Sequence, residues 1–192
     1  MYKTKPRAPS DQAKPSEFAT VQNSDEYFSC SRPESKEHKV PLALLNEVFG
    51  QFIDDCKSIM LTSNDMATAR DLKTKMGLFY TGKNGEDQRR DILNRVLGHY
   101  GIPVRAGSIG ASKYSTDGHI ENFGHPSIIS EVKSEMSGTT GGEPSLQALL
   151  YYHAFAHEYD LWKDVSNCHP CFVIFIAGES CFTSSYRNLM PE

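Results

Sequence analysis

The tripeptide Glu131-Val132-Lys133 places a carboxylate and an ammonium group two residues apart, directly after the apolar pair Ile128 and Ile129. On a β-strand, side chains two residues apart lie on the same face at a separation of about 7 Å, and Val132 points to the opposite face. Burying two charged groups side by side is costly unless they are paired or bind something. We therefore expect the end of this strand to perform a chemical task.

A second carboxylate, Asp117, lies upstream in Ser-Thr-Asp-Gly, and the residues 123–126 between it and Glu131 predict a hairpin turn. Adjacent antiparallel strands are about 4.8 Å apart, so Asp117 and Glu131 are expected to converge on one ion. Two carboxylates with the Val132 carbonyl and water molecules are ligands that suit Mg²⁺ or Mn²⁺. Lys133 would then orient or deprotonate a water molecule, or neutralise charge that develops on a phosphate.

The elements that must position these groups follow from the hydrophobic pattern. Helical spacing predicts helices within residues 41–100, and the segments that follow alternate as strands around 103–109, 112–122 and 127–135. A helix is predicted from residue 145 onward, and the continuous apolar run 170–178 is typical of a buried central strand. The predicted order is helices followed by β-β-β-α-β, which defines an α/β domain.

Asp117, the spacer, Glu131-x-Lys133 and this element order together resemble the PD-(D/E)xK nuclease superfamily. Gln147 and Tyr151, four residues apart on the predicted helix, resemble the Gln-x-x-x-Tyr motif of its RecB-like branch. The resemblance covers about residues 41–180 and implies a restriction-endonuclease-like α-β-β-β-α-β core with extra N-terminal helices. It implies that Asp117 and Glu131 bind the metal, that Lys133 acts on the water molecule, and that Gln147 belongs to the catalytic group. Thr116 stands where the family has proline.

Other residues are further candidates for binding the metal ion or the substrate. The RecB-like branch supplies a helical glutamate upstream, and the resemblance points to Glu47 as this additional metal ligand. Tyr151 would orient the site or contact the substrate, although an ordinary helix face also explains it and Gln147. Arg89 and Arg90 are candidates for phosphate contacts, and a solvated helix start explains them equally well. The stretch 131–155 is also similar to segments of fungal Crinkler-type and kinase-associated proteins that carry a restriction-enzyme-like domain.

Composition sets limits on the class of protein. The chain has 192 residues, 39% of them hydrophobic, and a formal net charge of −4, so no strongly basic DNA-coating surface is expected. Residues 1–40 contain few aliphatic side chains and are predicted to be a disordered tail in front of a domain over 41–192. Because only fifteen residues follow the predicted strand 172–177, this domain is a candidate for C-terminal truncation.

The same features predict location and partners. No apolar run reaches the length of a membrane helix, no signal peptide begins the chain, and five cysteines are not a disulfide framework. We therefore expect an intracellular protein, nuclear or cytoplasmic, that does not enter a membrane. The expected activity is Mg²⁺-dependent (or Mn²⁺-dependent) hydrolysis of phosphodiester bonds in nucleic acid, with DNA as the substrate. The alternative is a catalytically silent module, an effector or a regulatory segment, that binds a protein partner or a missing C-terminal domain.

Overall fold

The computed structural model describes residues 7–23, 42–78, 85–133, 142–163, 169–177 and 180–186. The helices within these ranges are α1 (Pro9–Gln12), α2 (Pro15–Gln22), α3 (Leu42–Leu45), α4 (Glu47–Ser58), α5 (Ser63–Met76), α6 (Gly85–His99) and α7 (Pro144–Glu158), with a short 3-10 helix at Leu161–Lys163. The strands are β1 (Arg105–Ser108), β2 (Ser115–Asn122), β3 (His125–Lys133), β4 (Cys171–Ala177) and β5 (Ser180–Tyr186). The prediction of an α/β protein is confirmed.

The five strands form one mixed sheet in the order β1-β2-β3-β4-β5. β3 and β4 are parallel and are joined across α7, whereas the other neighbouring pairs are antiparallel. The predicted central position of the apolar run 170–178 is confirmed, because β4 pairs on both sides. The sequence pattern does not predict β5, which pairs along the full length of β4.

Helices cover both faces of the sheet, and β3 contributes to both layers. Ile129 packs into the cluster formed with α7, which includes Tyr152 and Phe155. Val132 packs on the opposite face with Leu93 of α6 and with Met76 of α5. This alternation is the period-two pattern expected of a strand, and it places Glu131 on the face that α7 covers.

The hairpin between β2 and β3 turns at Phe123 and Gly124, because Asn122 pairs with His125. Both turn residues have positive φ angles, 52° and 82°. Two central residues with positive φ define the two-residue turn whose twist matches that of the flanking strands. The hairpin predicted from residues 123–126 is therefore confirmed.

The prediction that residues 1–40 form a disordered tail is wrong for residues 9–22, which form α1 and α2. Ala13 is fully buried against Leu150 of α7, with Phe18 and Val21 packed around this contact. The Ala13 carbonyl also accepts a hydrogen bond of 3.1 Å from the backbone N–H of Glu143. A few apolar side chains are enough to hold this segment on the domain, because α7 supplies the other half of the cluster. Residues 1–6 and 24–40 of the predicted tail lie outside the described ranges.

The helix predicted from residue 41 onward is two helices that break at Asn46. The Asn46 side chain accepts a hydrogen bond of 3.0 Å from the Val48 N–H, which caps the start of α4. α4 contacts the sheet through Phe49, whose ring meets that of Phe172 at 5.3 Å. No helix in the described part of the chain has the length and apolar character needed to cross a membrane.

Candidate active site

The pairing of β2 and β3 brings the first two carboxylates together. Gly118 pairs with Ser130, so the next residues outward along the ladder are Asp117 and Glu131. A Cβ atom at position 118 would clash with the Ser130 hydroxyl and with the Val104 side chain. Only glycine therefore lets the two strands and the segment before β1 approach closely at this point.

An irregularity in the pairing of β1 and β2 affects the direction of the Asp117 side chain. Arg105 pairs with His119 and Gly107 pairs with Thr116, so three steps along β2 match two steps along β1. The additional residue is a β-bulge, a feature that bends a strand and re-aims a side chain beside it. Asp117 lies inside this bulge, at the start of β2 rather than at the end where the hairpin pattern predicts it.

Lys133 is the charged centre of the site. Its Nζ atom lies 2.9 Å from Glu131 Oε1 and 3.6 Å from Glu86 Oε2. Burial alone would lower the pKa of Lys133, but the carboxylates of Glu131, Glu86 and Asp117 together outweigh burial and the pKa is raised. The ammonium group therefore stays charged at neutral pH. It joins the end of β3 to the first turn of α6.

Glu131 is fully buried, which is exceptional for a carboxylate. Burial and the neighbouring Asp117 carboxylate raise its pKa from 4.5 to about 8, and Lys133 only partly offsets them. Glu131 Oε2 has no hydrogen-bond partner within the described ranges. The site therefore holds a buried carboxyl group that takes a proton near neutral pH when no other cation is present.

Asp117 is largely buried and is held by the backbone of β3. Its Oδ2 atom accepts a hydrogen bond of 3.0 Å from the Val132 N–H. Burial raises the pKa of Asp117, and the charges of Lys133 and Arg90 act in the opposite direction. The Val132 amide thus orients Asp117, while the role of the Val132 carbonyl as a ligand stays a prediction.

Gln147 and Tyr151 lie on the face of α7 that covers this site. Gln147 Nε2 donates a hydrogen bond of 3.1 Å to the Tyr151 hydroxyl, and both side chains are buried. Burial, followed by the Glu131 carboxylate, raises the pKa of Tyr151 to about 12. The Tyr151 hydroxyl thus stays protonated beside Glu131. This geometry suits a group that orients the site better than one that contacts a substrate at the surface.

The helical glutamate near the site is Glu86, not Glu47. Glu86 lies in the first turn of α6, and its charge acts on both Glu131 and Asp117. Glu47 is exposed at the first residue of α4, the helix whose Phe49 contacts Phe172 near the opposite end of β4. The sequence contains a signal for Glu86: it belongs to the helix directly before the first strand.

The two arginine candidates lie in different environments. Arg89 is buried, and its guanidinium donates a hydrogen bond of 3.0 Å to the Leu78 carbonyl. Its position indicates a role in joining α5 to α6 rather than contact with phosphate. Arg90 pairs with Asp87 at 2.9 Å, and its charge also acts on Asp117. Arg90 therefore lies near the site and Arg89 does not face it.

The donors present fit a hard divalent cation only in part. Glu131 and Asp117 supply carboxylate oxygens, and the unpartnered Glu131 Oε2 is a buried acceptor that a cation would satisfy. Across the described ranges, however, no three His, Cys, Asp or Glu side chains converge closely enough to hold one metal ion. Lys133 lies between Glu131 and Glu86 instead. Because Oε1 contacts Lys133 and Oε2 has no partner, a metal ion would bind Glu131 through Oε2.

Comparison of the chain with models of protein families, with curated protein sequences and with solved structures found no match.

Proposed function

We propose that the chain is a metal-dependent nuclease with a restriction-endonuclease-like core, which hydrolyses phosphodiester bonds in nucleic acid with Mg²⁺ or Mn²⁺. The observation that supports this most is the buried Glu131, which lies beside Asp117 and pairs with Lys133 at the exit of β3. A buried pair of carboxylates is destabilising unless a cation or protons neutralise it. The order helix, three strands, helix, strand around the pair agrees with this proposal.

Each residue has a distinct role in the proposed mechanism. When bound, the divalent cation supplies Lewis-acid stabilisation of the phosphate and a water molecule of lowered pKa. Asp117 and Glu131 hold it, and the Val132 N–H keeps Asp117 in place. Lys133, which contacts Glu131 Oε1, would place a positive charge where negative charge develops on the attacked phosphate. Its persistent charge follows from its raised pKa.

The α7 side of the site excludes water and sets orientation. Tyr151 is buried next to Glu131 and is held by Gln147, so the Glu131 carboxylate faces a fixed hydroxyl group rather than bulk solvent. Glu86 lies at the open side, where its contact with Lys133 gives the ammonium group a second acceptor. These side chains position charge and need not enter the reaction themselves.

A second candidate is a catalytically silent module that uses the nuclease fold for binding. One observation favours it: no three metal-ligating side chains converge within the described part of the chain. In this case the Lys133–Glu131 pair would be a structural ion pair and would not bind metal. Metal-dependent cleavage of nucleic acid distinguishes the two candidates.

The test is cleavage of plasmid DNA, single-stranded DNA and RNA with Mg²⁺ or Mn²⁺ by the wild type, Glu131→Ala and Glu47→Ala. The nuclease proposal predicts cleavage by the wild type and by Glu47→Ala, and loss of cleavage in Glu131→Ala. Equal activity in Glu131→Ala would exclude the proposed site. A wild type that cleaves none of these substrates, and is not stabilised by Mn²⁺, would support the silent module.

A further inference from the structure

A cavity of about 330 Å³ opens on the sheet beside the site, between β1 and β2. Its lining includes Arg105, Gly107, His119 and Glu121. This volume is at the lower end of the range of small-ligand pockets, so the cavity holds a group of limited size. The residues that line it differ from those assigned above to metal binding and catalysis.

The cavity opens on the same face of the sheet as the candidate active site. The His119 ring contacts Phe155 of α7 at 5.1 Å, edge to face, and Phe155 packs in one cluster with Ile129 and Tyr151. Arg105 is the direct pairing partner of His119, so their side chains share this face. His119 pairs with Ile129, which lies two residues before Glu131 on β3. His119 is thus displaced from Glu131 by about 7 Å along the strands and by one strand spacing of about 4.8 Å across the sheet.

Side chains along α7 and at its C-cap connect the metal site to the cavity. Gln147, Tyr151, Phe155 and Tyr159 follow one another at intervals of four residues, so they lie along one side of the helix. Tyr151 is next to Glu131, Phe155 is next to His119, and Tyr159 senses the charge of Glu121. A nucleic-acid strand that extends from the metal site along β2 would therefore contact His119 first and Glu121 next.

The lining has the chemistry of a nucleobase site. The ring of His119 lines the cavity and offers a flat stacking surface. The contact of its Nδ1 atom with Thr116 Oγ1, at 2.7 Å, fixes the plane of the ring. The Glu121 carboxylate accepts hydrogen bonds, as a cytosine amino group requires. Arg105 is exposed at the rim, where a guanidinium pairs with a phosphate.

We propose that this cavity binds one unpaired base of a nucleic-acid strand next to the scissile phosphate, with stacking on His119, a hydrogen bond to Glu121 and a phosphate contact from Arg105. The proposal rests on the nuclease function above and specifies its substrate as single-stranded. A base in a duplex keeps its flat faces stacked on its neighbours, and only an unpaired base presents them to a protein side chain. Because Glu121 accepts hydrogen bonds and repels carbonyl oxygens, the site prefers cytosine to thymine.

The test uses a short single-stranded oligodeoxycytidylate in the presence of EDTA, so that binding is measured without hydrolysis. The variant Gly107→Leu fills the cavity, because a Cβ atom there already lies 3.3 Å from His119 Cε1. The matched control is Gly98→Leu, on an exposed position of α6 where a Cβ atom has no neighbour within 4 Å. We expect Gly107→Leu to weaken binding about 5- to 150-fold, the range for loss of one base stack, and Gly98→Leu to bind as the wild type does.

A second measurement is independent of the folding of any variant. The imidazole NMR signals of His119 in the wild type should shift on titration with the oligonucleotide, and those of the exposed His99 should not. Glu121→Gln should reduce the preference for oligodeoxycytidylate over oligothymidylate. The base site would be overturned by unchanged His119 signals or by an affinity of Gly107→Leu equal to that of the wild type. Binding of a double-stranded oligonucleotide as tight as that of the single strand would also overturn it. Since none of these readouts requires cleavage or metal, they separate failure of this proposal from failure of the nuclease assignment.

Discussion

The substitution Glu131→Gln should change the pH dependence of stability in the metal-free protein. Glu131 has a pKa of about 8 in the folded protein and an ordinary value of 4.5 without the fold. Between these values the folded protein holds a proton that the unfolded chain has released, so the free energy of unfolding falls as the pH rises. Above pH 8 both forms are ionised and this contribution no longer changes. Asp117, whose pKa is also raised, acts in the same direction.

The size of the effect follows from the width of this window. One pH unit corresponds to about 1.4 kcal/mol, so the wild type should lose about 4 kcal/mol of stability between pH 5 and pH 8. For a chain of this size, such a loss lowers Tm by the order of 10 °C. Glutamine does not titrate, so Glu131→Gln should retain only the smaller slope contributed by Asp117. The variant should be more stable than the wild type near pH 8 and similar to it near pH 5.

The assay is thermal unfolding in EDTA across this pH range, with the exposed Glu47→Gln as the control that should follow the wild type. Millimolar Mn²⁺ should raise the Tm of the wild type most near pH 8, because the cation replaces the proton on Glu131. The metal should have little effect on Glu131→Gln. Parallel pH profiles for the wild type and Glu131→Gln would refute the reasoning, since they would mean that Glu131 titrates alike in both states.

Three further substitutions test neighbouring parts of the structure. Lys133→Met should lower cleavage about 10²-fold in kinetic assays while stabilisation by Mn²⁺ persists, and a wild-type rate would remove Lys133 from the mechanism. Arg89→Met should lower the free energy of unfolding by about 1–3 kcal/mol in denaturant unfolding, because it removes a buried guanidinium and its hydrogen bond to Leu78; weaker nucleic-acid binding at unchanged stability would instead indicate a phosphate contact. Ala13→Leu should cost about 1–3 kcal/mol by overpacking, whereas the exposed Ala19→Leu should stay within about 0.5 kcal/mol, and equal values would show that α1 does not pack on α7.

Local periodicity was sufficient for the part of the site that lies on neighbouring strands. The alternation of a strand places Glu131 and Lys133 on one face, and a short hairpin forces the strand that carries Asp117 to be its neighbour. The helical spacing of Gln147 and Tyr151 is likewise a local property, and their hydrogen bond follows from it. None of these inferences requires knowledge of how distant elements pack.

The features that the sequence does not reveal depend on contacts between distant elements. Glu86 belongs to the helix directly before the first strand, but its contact with Lys133 depends on the packing of α6 across the sheet. Arg89 is a buried anchor for the same reason, although its sequence neighbourhood is polar. The β-bulge around Asp117 depends on the register between β1 and β2, which has no signature in a strand of four residues.

The contact between Ala13 and Leu150 has a consequence for the order of events during synthesis on the ribosome. Leu150 lies 137 positions after Ala13, the difference between residues 150 and 13. At about 5–20 residues per second, α1 leaves the ribosome many seconds before its binding surface on α7 exists. The N-terminal helices therefore have no α7 to pack against while β1, β2 and β3 are synthesised. A chaperone or processing enzyme that recognises this segment would therefore act on it during that interval, before α7 packs against Ala13.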